Sequence, residues 1–108
     1  YYGDNDAVRE KAARLREKVW NKWPGKVRMG RFRDTAVGPH PQAMYQIEFD
    51  HEIFEEIVPW LMYNRDGLTI LLHPDAEDAW RDHAWYPFWM GDMLDLRLDW
   101  LAAGNRQA

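Results

Sequence analysis

Apolar residues recur at helical spacing near the start of the chain. Val8, Ala12, Leu15, Val19 and Trp23 are separated by four, three, four and four positions, which puts them on one stripe of an α-helix. The spacing predicts a helix over Asp4–Trp23. Asp4, Asn5 and Asp6 offer a capping oxygen and negative charge at its positive end, and Pro24-Gly25 stops it. The period then changes to two. Lys26–Arg33 alternates basic and apolar, with Val27 and Met29 inward and a phase change at Gly30 that predicts a bulge. Met44–Phe49 alternates again, with Tyr45, Ile47 and Phe49 on one face. The two segments predict an antiparallel pair joined by the loop Asp34–Pro41.

A second helical stripe follows in Ile53, Phe54, Ile57, Val58 and Leu61, with Asp50 as its cap. Pro59 lacks a backbone donor, so a kink or restart is expected there. Leu68–Leu72 is a short, continuous apolar run, predicting a strand buried on both faces. It ends at His73-Pro74. Asp75–His83 fits a helix starting at Pro74 or Asp75. Trp85–Gly91 is aromatic and is expected to wrap over the core. Leu94–Trp100 fits strand and helix periods alike. Counting Tyr1-Tyr2 as the tail of a first strand, the order is β-α-β-β-α-β. That is the ferredoxin-like split arrangement, an α+β fold with one antiparallel sheet and helices on one face.

The chain has 108 residues, enough for one domain spanning residues 1–108 with a small core. Seven tryptophans, five tyrosines and four phenylalanines are many for this length. They serve a bulky core, a dimer surface or a pocket for a flat ligand. Net charge is −4, with both signs interspersed and no basic stripe, so nucleic acid is not an expected partner. The absence of cysteine excludes disulfides, thiolate metal sites and Cys nucleophiles. No run is long enough to cross a bilayer and no signal-peptide pattern opens the chain. A soluble, cytoplasmic protein is expected.

Candidate chemistry is concentrated in histidines framed by proline or acid. Gly38-Pro39-His40-Pro41 echoes downstream as Leu72-His73-Pro74 and Asp82-His83. Imidazole is the commonest catalytic metal ligand and the usual acid–base group at neutral pH. Proline restricts the backbone and so fixes where a neighbouring side chain aims. Each histidine also has a plain use. His40 suits a turn that bonds its own loop. His73 suits a core histidine satisfied by a backbone carbonyl. His83 suits the negative end of a helix. His51, beside Asp50 at a helix start, reads as a neutral surface histidine outside the site.

Gly38-Pro39-His40-Pro41, Val58-Pro59-Trp60-Leu61, Asn64-Arg65, Leu71-Leu72-His73-Pro74, Asp82-His83, Trp89-Met90-Gly91 and Leu94-Asp95-Leu96 agree in order and spacing with one known pattern. From Gly38 to Leu96 the chain resembles the DOPA 4,5-dioxygenase family of small aromatic ring-opening dioxygenases. The resemblance implies a ferredoxin-like fold in a homodimer or higher homo-oligomer. It implies extradiol cleavage of a small catechol such as DOPA by O2 at non-haem Fe(II), with Zn an alternative occupant of the purified protein. The family pattern has a further His-x-His pair on its first strand. This sequence opens at Tyr1-Tyr2, about where that strand should end, so the start of the strand is expected to be missing here.

On that resemblance, His40, His73 and His83 share metal ligation and acid–base chemistry. Glu48 and Asp82 are candidates for an anionic ligand, although each has a plainer solvent-facing reading. Tyr45, Trp60 and Trp85 are candidates to sandwich the catechol ring, with core packing the plainer use of Trp60. In a split sheet the loop bearing His40 lies at the opposite edge from His73. A shared site then requires the loop to fold back or a second subunit to supply the other half. Two other readings use the same residues. One is a non-catalytic ferredoxin-like module that binds an aromatic ligand or a protein. The other is a cofactor-free isomerase or lyase in which a histidine shuttles protons.

Overall fold

A computed structural model of the chain describes residues 1–102; residues 103–108 of the expected domain lie outside them. Helix α1 spans Asp6–Lys22, close to the range set by its apolar stripe. Asn5 caps it, accepting a hydrogen bond from the Val8 amide at 3.1 Å. Ala12, Leu15 and Val19 are buried along its inner face. Strands β1 (Val27–Met29) and β2 (Ile47–Phe49) pair antiparallel, with Val27 opposite Phe49 and Met29 opposite Ile47. The Tyr45 hydroxyl donates to the Ala12 carbonyl at 2.6 Å, tying the second strand segment to α1. Gly30 continues the pairing beyond β1 by donating to the Gln46 carbonyl at 2.8 Å.

Asp50 precedes a single 3₁₀ turn, His51–Ile53, rather than the helix itself. Its carboxylate makes no cap and instead accepts from Arg28 at 3.1 Å. Helix α2 (Phe54–Asn64) runs through Pro59 without restarting. One missing backbone bond is tolerated because Ile57, Val58 and Leu61, on either side of the proline, are buried and hold the helix by packing. With Trp23, Val27, Ile53 and Leu68 they join the buried face of α1 in one core cluster.

Strand β3 (Ile70–Leu72) is half-buried along its length, not sealed on both faces as its apolar run predicts. Its partner is β4 (Phe88–Met90), antiparallel, with Ile70 opposite Met90 and Leu72 opposite Phe88. Part of the aromatic stretch expected to wrap over the core is thus a strand. Met90 is buried there, while Trp85, Tyr86 and Phe88 remain about half exposed. Helix α3 (Ala79–Ala84) starts later than expected. Asp78 caps it by accepting from the Arg81 amide at 3.1 Å. Of the ambiguous stretch Leu94–Trp100, the end joins helix α4 (Leu98–Ala102), and residues 94–97 are neither helix nor strand.

The described residues thus form an α+β fold with two two-stranded antiparallel sheets, β1-β2 and β3-β4, rather than the single sheet expected. Tyr1 and Tyr2 lie between them. The Tyr1 nitrogen donates to the Thr69 carbonyl at 3.0 Å, just before β3. The Tyr2 amide donates to the Ala43 carbonyl at 2.9 Å, ahead of β2. Among the described residues no helix is long and apolar enough to cross a membrane.

Candidate functional site

His40, His73 and His83 come from three separate pieces of chain and meet. His73 directly follows β3. Because β3 and β4 are paired as far as Leu72 and Phe88, the segment between them must leave the sheet and return. Helix α3 lies in that excursion and brings His83 onto His73. Their ring centroids are 4.1 Å apart, with planes inclined by 44°.

His40 closes the turn Val37–His40, in which its amide donates to the Val37 carbonyl at 3.0 Å. Gly38 takes φ = 58°, a left-handed value that glycine adopts without a Cβ clash. The Arg97 amide donates to the Pro39 carbonyl at 2.7 Å, holding the turn from the C-terminal side. The His40 ring then meets His83 edge-on, with centroids 5.8 Å apart. The loop therefore folds back within one chain. The opposite-edge separation expected of a split sheet does not keep these rings apart, and no second subunit is needed to join them.

His40 and His83 are both only 2% exposed, whereas His73 is half-buried. Two rings are sealed, and solvent reaches the cluster at the third. Backbone carbonyls fix two of the tautomers. His83 Nδ1 lies 2.6 Å from the Ala79 carbonyl, and His73 Nδ1 lies 2.7 Å from the Pro74 carbonyl. A carbonyl oxygen only accepts, so Nδ1 carries the hydrogen in both rings and each Nε2 keeps a lone pair. His83 Nε2 is buried and has no hydrogen-bond partner among the described residues. Orphaned polar atoms of this kind cost about 1–3 kcal/mol and call for a ligand or a function. Burial pushes the His83 pKa below its ordinary value, against the opposing pull of the Ala79 bond. Its ring is therefore neutral at neutral pH.

Tyr1 is a member of this cluster that the sequence did not mark. Its hydroxyl lies 2.6 Å from His40 Nδ1, and its ring stacks on Trp89 with centroids 6.0 Å apart. Burial holds the Tyr1 phenol above its ordinary pKa, so it stays protonated.

The other nominated residues are engaged elsewhere. Tyr45 packs edge-on against Phe32 and spends its hydroxyl on α1. Trp60 packs edge-on against Trp23 at 5.3 Å, at the main core. Trp85 is 59% exposed, with ring contacts to Trp80 and Tyr86. Glu48 is exposed and lies 3.4 Å from Arg28. Asp82 is buried, contrary to its solvent-facing reading, and accepts from the Ala76 amide at 2.9 Å, which clamps the loop before α3. His51 is exposed, as expected.

The donor set suits a transition-metal ion in part. Two imidazoles have Nδ1 committed to backbone carbonyls, the usual arrangement behind a metal-binding Nε2. Among the described residues, however, no group of three His, Cys, Asp or Glu side chains has the geometry to hold an ion. His73 and His83 thus share the tautomer of a metal ligand without forming a complete shell.

The small α+β chain thus brings three imidazoles together, two of them sealed. Residues 1–100 match the Dopa 4,5-dioxygenase family, and the chain belongs to it. It is 36% identical over 107 residues to an uncharacterized 21.2 kDa protein of Botryotinia fuckeliana, covering 91% of this chain and 58% of that one. It is 33% identical over 103 residues to the DOPA 4,5-dioxygenase of Amanita muscaria, covering 91% of this chain and 45% of that enzyme. The chain therefore spans about half the length of these curated relatives. The crystal structure of a proposed dioxygenase from Nostoc punctiforme superposes with a TM-score of 0.88 at 44% identity, covering 94% of this chain and 86% of that one.

Proposed function

We propose that the protein is an extradiol dioxygenase that opens a small catechol such as DOPA with O2. The observation that carries this reading is the meeting of His40, His73 and His83 within one chain of this family. Ring opening beside the diol breaks one carbon–carbon bond and places both oxygen atoms in the semialdehyde product, so no further reductant is consumed. His73 and His83 would hold the metal through their Nε2 lone pairs. A ferrous ion, when bound, supplies the path by which electron density passes from a diphenol to triplet oxygen. His40, sealed beside His83, is placed to hold or return a substrate proton. The sealed side of the cluster excludes water, and His73 marks the side from which substrate enters.

The ferredoxin-like sheet belongs to the same reading. Tyr1 and Tyr2 are hydrogen-bonded between the two sheets, which supports reading them as the tail of a central strand that would join them. The exposed group Trp85, Tyr86 and Phe88 favours an interface. It would be a homodimer contact in the dioxygenase, or the working face of a non-catalytic module in the second reading.

Anaerobic loading with ferrous iron, followed by L-DOPA and air, tests the proposal. Oxygen uptake should match the appearance of a yellow product, and zinc-loaded protein or His73→Ala should give neither. If the iron-loaded full-length protein consumes no oxygen with any of a panel of catechols, the reading fails. Light scattering reports the oligomeric state separately.

A further inference from the structure

We infer that Tyr1 is a positioning residue: its hydroxyl donates to His40 Nδ1 and so places the His40 hydrogen on Nε2, the opposite tautomer to His73 and His83. The geometry carries the assignment. The contact is 2.6 Å, short even for a hydrogen bond with a hydroxyl partner. A hydroxyl has one hydrogen to give. Among the described residues the Tyr1 hydroxyl has this one hydrogen-bond partner. Were His40 Nδ1 the donor, the phenol hydrogen would be left in a part-buried place with no acceptor, and a buried polar group is expensive to leave unmatched. The Tyr1 ring is not free to swing away. Its own nitrogen is tied to the Thr69 carbonyl at 3.0 Å, and Trp89 stacks on its face at an interplanar angle of 24°.

The consequence is a division of labour among three chemically identical side chains. His73 and His83 each present a lone pair at Nε2, suited to a cation. His40 presents a hydrogen at Nε2, suited to an anionic oxygen of a substrate. This consequence rests on the dioxygenase reading; the tautomer does not.

The test is long-range proton–nitrogen correlation on metal-free, full-length protein with labelled histidine, at mildly alkaline pH. His40 should show a bare Nδ1 and a protonated Nε2, with the pattern reversed in His73 and His83. Tyr1→Phe should release His40 into a mixture of tautomers while His73 and His83 keep theirs. A His40 ring protonated on Nδ1 in the parent overturns the inference, and so does an unchanged His40 pattern in Tyr1→Phe. Should that variant fail to fold, 3-fluorotyrosine labelling of the parent replaces it. The more acidic phenol should move His40 Nδ1 alone, and no movement overturns the inference. In active protein, Tyr1→Phe should lower kcat roughly 10- to 100-fold, the range typical of groups that orient a functional histidine, with little change in KM. Absence of turnover in the parent would sink the dioxygenase reading and leave the tautomer assignment readable.

Discussion

Replacing Gly38 by alanine isolates the turn that delivers His40. Gly38 has φ = 58°, and a Cβ in the left-handed region costs about 1–2 kcal/mol from backbone sterics alone. Gly25 provides a matched control. Its φ is 72°, and a Cβ added there meets nothing within 4 Å, so Gly25→Ala carries the same backbone cost in the exposed turn between α1 and β1. Each variant should lower Tm by roughly 4–8 °C per kcal/mol for a domain near this size. The two should part in function. The Gly38 turn is closed by the His40-to-Val37 bond and leads straight into buried Pro39 and His40. The alternative to bearing the strain is to flip the turn, which breaks that bond and withdraws the ring from His83. Urea unfolding followed by tryptophan fluorescence measures the first effect. Oxygen uptake with L-DOPA, or the His40 nitrogen shifts in metal-free protein, measures the second. Loss of stability in both variants with site effects confined to Gly38→Ala is the expected result. A Gly38→Ala protein as stable as the parent, or one indistinguishable from Gly25→Ala in both assays, would refute the reasoning.

Ile57 is fully buried in the core, and Ile57→Ala should lower unfolding free energy by about 2–5 kcal/mol in the same urea assay. Burial lowers the His83 pKa, so the unfolded chain binds a proton that the folded chain refuses. Stability is then full above the ordinary histidine value of 6.5 and falls as pH drops below it, by at most about 1.4 kcal/mol per pH unit for one group; His83→Phe should flatten this slope in metal-free protein, and equal slopes would refute it. Asp34 accepts from Arg9 at 2.8 Å and from Tyr2 at 2.6 Å, and these bonds hold its pKa below the usual value. Its contribution is present above the ordinary carboxylate pKa and is lost as pH falls through the lowered one, so Asp34→Asn should shrink the acid-side dependence of Tm by a small, salt-sensitive amount.

The elements legible in the sequence are those whose own pattern is long enough to speak. Helix α1 has five apolar residues on one stripe and a capping asparagine, and it lies where that stripe puts it. The alternation through Tyr45, Ile47 and Phe49 fixes the face of β2, because a one-residue slip would turn its apolar side to water. Strand β4 was hidden for the opposite reason. Phe88, Trp89 and Met90 are apolar without alternation, and only the pairing to β3 makes them a strand. Leu94–Trp100 fits two periods equally, and the contact from Arg97 to Pro39 comes from a distant part of the chain. The β1-β2 pair is the one the alternation predicts, whereas the single sheet rested on Tyr1-Tyr2, a segment too short to show a period of its own.

The same division runs through the candidate site. His73 bonds the carbonyl of the next residue and His83 the carbonyl one helical turn back. These partners are local, so both tautomers follow once the strand end and the short helix are known. His40 is different. Its partner stands 39 positions away, on a tyrosine that belongs to no apolar stripe and sits in no motif. Proline framing of His40 and His73 is a property of the nearby backbone. It could not say which of them carries a hydrogen where, because that depends on what the fold brings to the other nitrogen. The resemblance singles out three histidines, but what stands at their Nδ1 atoms is two carbonyls and one phenol, and only the carbonyls lie close by in the chain.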